Sequence, residues 1–335
     1  MTGRRQWVIW GTVILGIAIV AYFVFLPARN PAGPPLEMTI AVTSNPDSAL
    51  VQIAQHEGYF RDEGLAVTME RFTSGKASLE ALLQGKAQLA TVAETPIVLN
   101  ILRGANLVVV AGIFHSDHNM GIVARRDRGI TTASDLRGKT VGVPLGTNAE
   151  YFLYAFHTVE GIPDSDITLA GMPPEATAKA LLAGRVDAVA VWNPFFHALQ
   201  KSLGDGGVSF YGEHVYTYTF NLAAKRDFAA AHPLHITALL RALLKAESLI
   251  HREPAKAHEI VAGFTHWDKR LLDDLWGGYS FRLSLDQALL VSMENQARWA
   301  LDTGLVPPQA LPNFFSVMYL DGLQAVAPGR ITVAH

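Results

Sequence analysis

The chain has 335 residues, with 27 Lys and Arg, 30 Asp and Glu, 12 His and no cysteine. Half of the residues are apolar and 17% are charged, which excludes a disordered or low-complexity chain; the formal charge of −3, with no basic stripe, argues against a nucleic-acid partner. Without cysteine there is no disulfide framework, no thiolate metal or cluster site, no thiol nucleophile and no lipid-bearing Cys.

The first 36 residues differ from the rest. They hold Arg4, Arg5 and Arg29 and no acid, which leaves 24 basic against 30 acidic residues in the body, a charge of −6. From Trp7 to Leu26 no residue is charged. A helix of that length spans about 30 Å, the thickness of a bilayer's hydrocarbon. The preceding arginines keep the N-terminus inside and send the body across. The stretch exceeds a signal peptide's usual apolar core, and Ala28 and Ala32 lie in poor cleavage context. It therefore reads as an uncleaved transmembrane anchor in preference to a cleaved signal. Pro27, Pro31, Pro34 and Pro35 then make a stiff spacer or an unstructured linker.

In the body, apolar runs bounded by turn residues predict strands at Met38–Val42, Leu65–Arg71, Gln88–Ala93 and Leu107–Phe114. Helices fall between them, beginning near Asp47 or Ser48, at Ala77 and at Thr95-Pro96. The pattern restarts with extended Met120–Arg125, strands at Thr140–Val143, Ile167–Ala170 and Ala188–Trp192, and helices from about Thr147 and Glu175. Thr217–Lys225 is extended again. Beyond Pro233 helices are expected at about 234–251, 254–263, 268–276, 284–303 and 311–324. Alternating short strands and helices mean α/β with a largely parallel sheet. The run from Ala81 to Gly85 and on to Pro96 parallels the run from Ala180 to Gly184 and on to Pro194, and Thr39–Asn45 parallels Thr140–Gly146. Two matches in the same order predict two similar lobes.

Ligands of open α/β sheets sit beyond the carboxyl ends of the strands. Here those turns are Thr43–Asp47, Thr73–Ala77, Ala93–Pro96, His115–Asn119, Pro144–Ala149 and Trp192–Phe196. Ser44–Ser48 and Gly146–Ala149 lead directly into helix N-termini, whose free N–H groups suit an anion or a carbonyl oxygen. Singly, each is an ordinary capped turn; together they predict a cleft. Trp192 and Tyr218 lie at strand ends, where aromatics either sandwich a planar ligand or pack in the core. Glu94 either meets a cationic ligand, accepts an N–H from a heterocycle, or pairs structurally with Lys76 or Arg103. Lys76 either holds an anion or is a solvated loop residue. His115, Asp117 and His118 form a loose cluster that reads as polar surface, so no metal site is assigned. Gly-x-Ser-x-Gly and His-Glu-x-x-His are absent, and Gly138-Lys139-Thr140 lacks the first glycine of a P-loop because position 133 is Ala. Nothing calls for a cofactor.

The run Gln55–Gly64, then Ser74–Ala77, Ala81–Gly85, Asp135–Gly142 and Ala188–Pro194, resembles the nitrate/sulfonate/taurine substrate-binding proteins of ABC importers. That family also includes proteins binding thiamine pyrimidine precursors. The resemblance covers about residues 38–330 and implies a two-lobed type II periplasmic-binding-protein fold with a hinge. Lobe I would comprise 37–124 and 220–335, and lobe II 125–219. Gly121–Arg125 and Thr217–Ala223 would cross between them. It further implies ligand contacts from Ser44 and Asn45, Ser74 and Gly75, Glu94 and Thr95, His115 and Asp117, Gly146, Thr147 and Asn148, and Trp192 and Asn193. The implied function is an extracytoplasmic solute-binding subunit without catalysis, partnered by permease and ATPase subunits and held at the membrane by its N-terminal helix. Glu94 in the cleft counts against a simple inorganic anion unless Lys76 offsets it, which favours an organic ligand. The other readings are an anchored ligand sensor and an enzyme on the same lobes with His115 as its base.

Overall fold

The computed structural model describes residues 35–212, 215–265 and 267–334. The anchor expected over Trp7–Leu26 and the spacer up to residue 34 lie outside the described residues. Among those residues no helix is long and apolar enough to cross a membrane.

Among the described residues, ten strands form two sheets. The first contains β1 (Leu36–Thr43), β2 (Leu65–Phe72), β3 (Leu89–Ala93), β4 (Leu107–Ser116) and β10 (Tyr218–Lys225) in the order β2-β1-β3-β10-β4. The second contains β5 (Met120–Arg125), β6 (Lys139–Val143), β7 (Ile167–Gly171), β8 (Ala188–Trp192) and β9 (Gly207–Tyr211) in the order β7-β6-β8-β5-β9. In each sheet the first three strands of the list run parallel and the fourth is antiparallel to both its neighbours. The internal duplication read from the sequence is thus a duplication of topology.

That fourth strand in each sheet adjoins a crossing. β5 enters the second sheet directly from β4 across 117–119, and β10 returns to the first sheet from β9 across 212–217. The segments expected to bridge the lobes are therefore members of the two sheets, and only short connections span the gap. Pairing explains this: a buried strand left between sheets would have unmatched N–H and C=O groups.

Helices cover the sheets: α1 (Ala49–His56), α2 (Tyr59–Asp62), α3 (Gly75–Leu83) and α4 (Glu94–Leu102) in the first half, then α5 (Asn148–Val159), α6 (Pro174–Leu182) and α7 (Phe195–Leu203). The central strands β3 and β8 are buried at every position, which suits their unbroken apolar sequences. The rest is helical, as expected: α8 (Arg226–Ala231), α9 (Pro233–Arg252), α10 (Pro254–Thr265), α11 (Lys269–Trp276), α12 (Gln287–Asp302) and α13 (Leu320–Val326). α9 buries Ile236, Leu239, Leu240, Leu243, Ala246 and Ile250, a stripe at three- and four-residue spacing, against α1 and α13. The C-terminal helices thereby back the first sheet.

Two departures have local causes. The helix expected over 311–324 is a short 3-10 turn, Phe314–Val317, followed by α13. Pro312 fixes its own φ and disfavours helical geometry at Leu311, so no helix spans it. β9 was not anticipated, because Gly204, Gly206 and Gly207 make its approach read as loop; pairing with β5 over Gly121–Arg125 creates it.

Candidate functional site

Five of the six predicted turns, those after β1, β2, β3, β6 and β8, contribute residues to one cavity. After β1, Asn45 is extended and caps a 3-10 turn, Pro46–Ser48, that runs into α1. This turn is tied down from α1, where Gln52 Nε2 donates to the Asn45 carbonyl at 2.9 Å and the Thr43 carbonyl at 3.3 Å. Asp47 is buried within it. Thr43 Oγ1 donates to its Oδ1 at 2.7 Å and the Tyr218 hydroxyl to its Oδ2 at 3.0 Å. Burial pushes this carboxyl up to about 6, against the lowering effect of those hydrogen bonds.

After β2, Ser74 caps α3 and its Oγ accepts from Ala77 N–H at 3.3 Å. Gly75 lies flat on the sheet: a Cβ there would meet Val92 Cα and the Phe220 ring at 3.0 Å each. That close approach carries Lys76 to the opposing lobe, where its Nζ donates to the Leu145 carbonyl at 3.0 Å. Leu145 belongs to the turn after β6. There Gly146 has φ +71°, Thr147 caps α5, and Thr147 Oγ1 donates to the Pro144 carbonyl at 2.6 Å. Glu150 reaches back to accept the Gly146 N–H. Asn148, at the first position of α5, is buried, and its Nδ2 has no hydrogen-bond partner.

Asn45, Asp47, Ser74, Gly75 and Lys76 from the first lobe and Thr147, Asn148 and Trp192 from the second line one cavity, with Tyr218 and Phe220 on its wall. It measures about 20 Å³, and a separate groove of about 460 Å³ shares Ser74, Lys76 and Thr147 with it. A volume near 20 Å³ admits little more than one water, so the lobes are closed on each other. Chemically the lining offers one ammonium, the amides of Asn45 and Asn148 and the starts of α3 and α5, all suited to an anionic group, with one buried carboxylate among them.

The other predicted residues lie elsewhere. Ser44 is half-buried beside the cavity without lining it. Gly146 shapes its turn, and Thr95 is buried in α4. Asn193 is also buried; its N–H donates to the Asn119 carbonyl at 2.9 Å, and its Oδ1 accepts from His197 N–H at 3.3 Å. Glu94 is fully buried and heads a network away from the cavity. It accepts from the Tyr216 hydroxyl, from Thr219 Oγ1 at 2.8 Å and from Gln296 Nε2 at 2.9 Å. Burial raises its carboxyl. It joins α4, β10, α12 and the returning crossover, and neither Lys76 nor Arg103 is its partner. His115 sits on β4 with its main chain paired to Ser280, and burial lowers its imidazole. Asp117 pairs with His118 Nδ1 at 2.6 Å. Neither His115 nor Asp117 lines the cavity. Among the described residues no group of three or more His, Asp or Glu is placed to hold a metal ion.

Sequence reading placed Asp47 in the cleft turn Thr43–Asp47 but singled out Ser44 and Asn45, not Asp47, as its contacts. Its position immediately after the Asn45-Pro46 turn of a buried strand was the available signal. Pro96 fell in the predicted turn Ala93–Pro96, and Phe220 carried no signal, because alternation along a strand does not say which face meets the second lobe.

Known proteins share this fold. The taurine-binding periplasmic protein of Escherichia coli is 25% identical over 217 residues, covering 63% of this chain and 66% of that one. The alkanesulfonate-binding protein of Xanthomonas axonopodis pv. citri, solved with MOPS, superposes with a TM-score of 0.74 at 21% identity, over 86% of this chain and 99% of that one. The periplasmic nitrate-binding protein of Synechocystis PCC 6803 superposes at 0.68 with 14% identity, over 88% and 89% of the two chains. The two-sheet α/β architecture is therefore the periplasmic-binding-protein fold. The family model described as NMT1/THI5 like matches residues 45–257, from the Asn45 cap through both crossovers and into α10, and on that span the chain belongs to the NMT1/THI5-like family.

Proposed function

We propose that this protein is the solute-binding subunit of an ABC-type importer, which holds a small organic anion between its lobes and presents it to permease and ATPase partners. One observation carries the reading: an ammonium from the first lobe and an unpartnered buried amide from the second line the same closed cavity, at two helix N-termini. Buried donors without partners are costly, and an anionic ligand would satisfy them. Sulfonate- and taurine-binding relatives support the same ligand class. Because Glu94 is committed to its own network, it no longer counts against an anion.

Ligand entry requires the lobes to part, and closure by a hinge that includes 117–119 would report occupancy to the permease. The body acts on the extracytoplasmic face, and the segment Trp7–Leu26 serves as its anchor or export signal.

The test is calorimetric titration of the full-length chain, purified in detergent, with ethanesulfonate, taurine and nitrate. Binding of a sulfonate is expected, weakened about 10- to 100-fold in Lys76→Met, the range for losing a hydrogen bond to a charged group. No heat from any of the three, or binding indifferent to Lys76, would refute the reading. Co-purification with permease and ATPase subunits is the expected partner result.

A further inference from the structure

Beyond the importer reading, we propose that the closed lobes form a second small-molecule site, a pocket for a compact organic ammonium ion, and that its occupancy favours closure. The pocket measures about 170 Å³. Glu150, Tyr154 and His157 of α5 and Leu169 of β7 line it from the second lobe, and Trp299 of α12 and Leu305 from the first. It shares no lining residue with the ligand cavity. The Tyr154 and Trp299 rings meet across the lobe boundary with centroids 6.0 Å apart, and Tyr151 meets Trp299 at 5.3 Å. Each lobe supplies one wall, so the site exists only while the lobes are closed.

Among the described residues, no lysine or arginine lines this pocket. Glu150 is 5% exposed; one carboxylate oxygen accepts the Gly146 N–H, and no described donor meets the other. Lys76 and Arg103 act on it only at a distance. His157, equally buried, has Nδ1 3.0 Å from the Ile162 carbonyl, so that nitrogen donates. In the neutral ring Nε2 is then an acceptor, and it lies 3.6 Å from the Asp164 carboxylate, beyond hydrogen-bond reach. The pocket thus presents acceptors and negative charge beside aromatic rings and the exposed side chains of Leu169 and Leu305. An ammonium group answers the acceptors and is attracted to Trp and Tyr rings, and a hydrocarbon body suits the leucines. The volume equals that of roughly six waters, room for a molecule of about six or seven heavy atoms.

Glu150 also ties the two sites together. Through the Gly146 N–H it holds the turn whose Thr147 and Asn148 line the ligand cavity. A molecule that binds only the closed form shifts the lobes toward closure, and reciprocity requires it and the cavity ligand to tighten each other's binding by the same factor.

The test is calorimetric titration of the full-length chain in a neutral detergent at pH 8 with cyclohexylamine, cyclohexanol and cyclohexanecarboxylate, each against a detergent blank. The three share one ring and differ in charge. The ammonium is expected to bind about tenfold or more tighter than the alcohol, the size of a hydrogen bond to a charged group, and the carboxylate more weakly than either. That preference should fall close to unity in Glu150→Gln. Leu169→Lys, which sets a tethered ammonium at an exposed position of the lining, should abolish amine binding. Because the chain has no cysteine, spin labels on the exposed pair Glu80→Cys and Glu175→Cys, one on each lobe along the neighbouring groove, report closure. Saturating cyclohexylamine should raise the share of the short distance. Equal affinity for amine and alcohol, or a preference unaltered in both variants, would overturn the site; an unchanged distance distribution would overturn its link to closure. Either result leaves the importer reading standing, since no sulfonate enters the test. Should Glu150→Gln fail to fold, as a melt would show, Leu169→Lys decides the question.

Discussion

In the first lobe the turn after the leading strand, Ser44–Ser48, carries a buried acid; in the second the matching turn, Pro144–Asn148, offers a buried amide. The next strand-to-helix turn follows the same division. Ser74-Gly75-Lys76 brings a cation to the cavity, whereas α6 begins at Pro173-Pro174 and brings none. Strand order and strand directions are nonetheless the same in the two sheets. Duplication preserved the hydrophobic pattern that builds a lobe, and the turns diverged because a turn's side chains contribute little to that pattern. Both charges of the cavity come from the lobe braced by the C-terminal helices, and the other lobe supplies neutral groups that close over them.

The largest expected effect comes from breaking the brace of the first lobe. Glu94→Ala strips the acceptor from Tyr216, Thr219 and Gln296, leaving buried donors unmatched. A loss of about 3–4 kcal/mol in urea unfolding is expected. Glu94→Gln, which retains one acceptor oxygen, should lose clearly less; equal losses would mean that the network does not hold the lobe.

The counterpart in the second lobe is Gly121 on β5. A Cβ there would sit 2.7 Å from the Phe210 carbonyl oxygen and 2.6 Å from the Phe196 ring. Gly121→Ala should cost about 2–3 kcal/mol through overpacking. A thermal melt at wild-type temperature would show that this lobe yields where its packing implies it cannot.

Asp47 gives a pH signature that the neutral turn of the second lobe lacks. Its carboxyl is raised from 3.8 to about 6, and the groups facing it are Thr43, Ser48 and Tyr218. A raised carboxyl means that the folded state prefers the protonated form. That favourable contribution is complete below about pH 4 and is lost as pH rises through 6. Asp47→Asn should therefore be more stable than the wild type by about 2 kcal/mol at pH 8, with the difference fading toward pH 4. A stability difference that is flat across this range would contradict the burial of the charge.

The smallest effect belongs to the cap of α5. Thr147 Oγ1 accepts from Ala149 N–H at 3.3 Å, so Thr147→Ala should cost about 1 kcal/mol. The Ser74 cap of α3 accepts from Ala77 N–H at a similar 3.3 Å and predicts a similar loss. Unequal losses in chemical denaturation would show that the two lobes use their helix starts differently.

Most strands and helices were legible because burial imposes period: β3 and β8 are apolar throughout, and α9 repeats at helical spacing. The cavity turns were legible as a set because an α/β sheet exposes its strand ends together. Asn45, Ser74, Gly75, Lys76, Thr147, Asn148, Trp192 and Tyr218 were all among the predicted residues and do line the cavity. His115 and Asp117 were predicted on the same grounds, but they lie on the edge strand β4 and just beyond it, so the cavity passes them by.

By itself, then, the sequence determined the α/β alternation, the duplication and the turns from which a site could be drawn, since these follow from local periodicity and chain order. The tertiary structure alone decided which acid faces the cavity. Glu94 and Asp47 both follow buried strands of the first sheet, and nothing local distinguishes them. Glu94 is claimed by Tyr216 and Gln296, from positions 122 and 202 residues away in the chain. Asp47 is held by the Thr43, Ser48 and Tyr218 hydroxyls and the Ser48 main chain, and remains on the cavity wall. A carboxylate's role depends on which donors long-range packing brings to it, and that information resides in the contacts between distant segments.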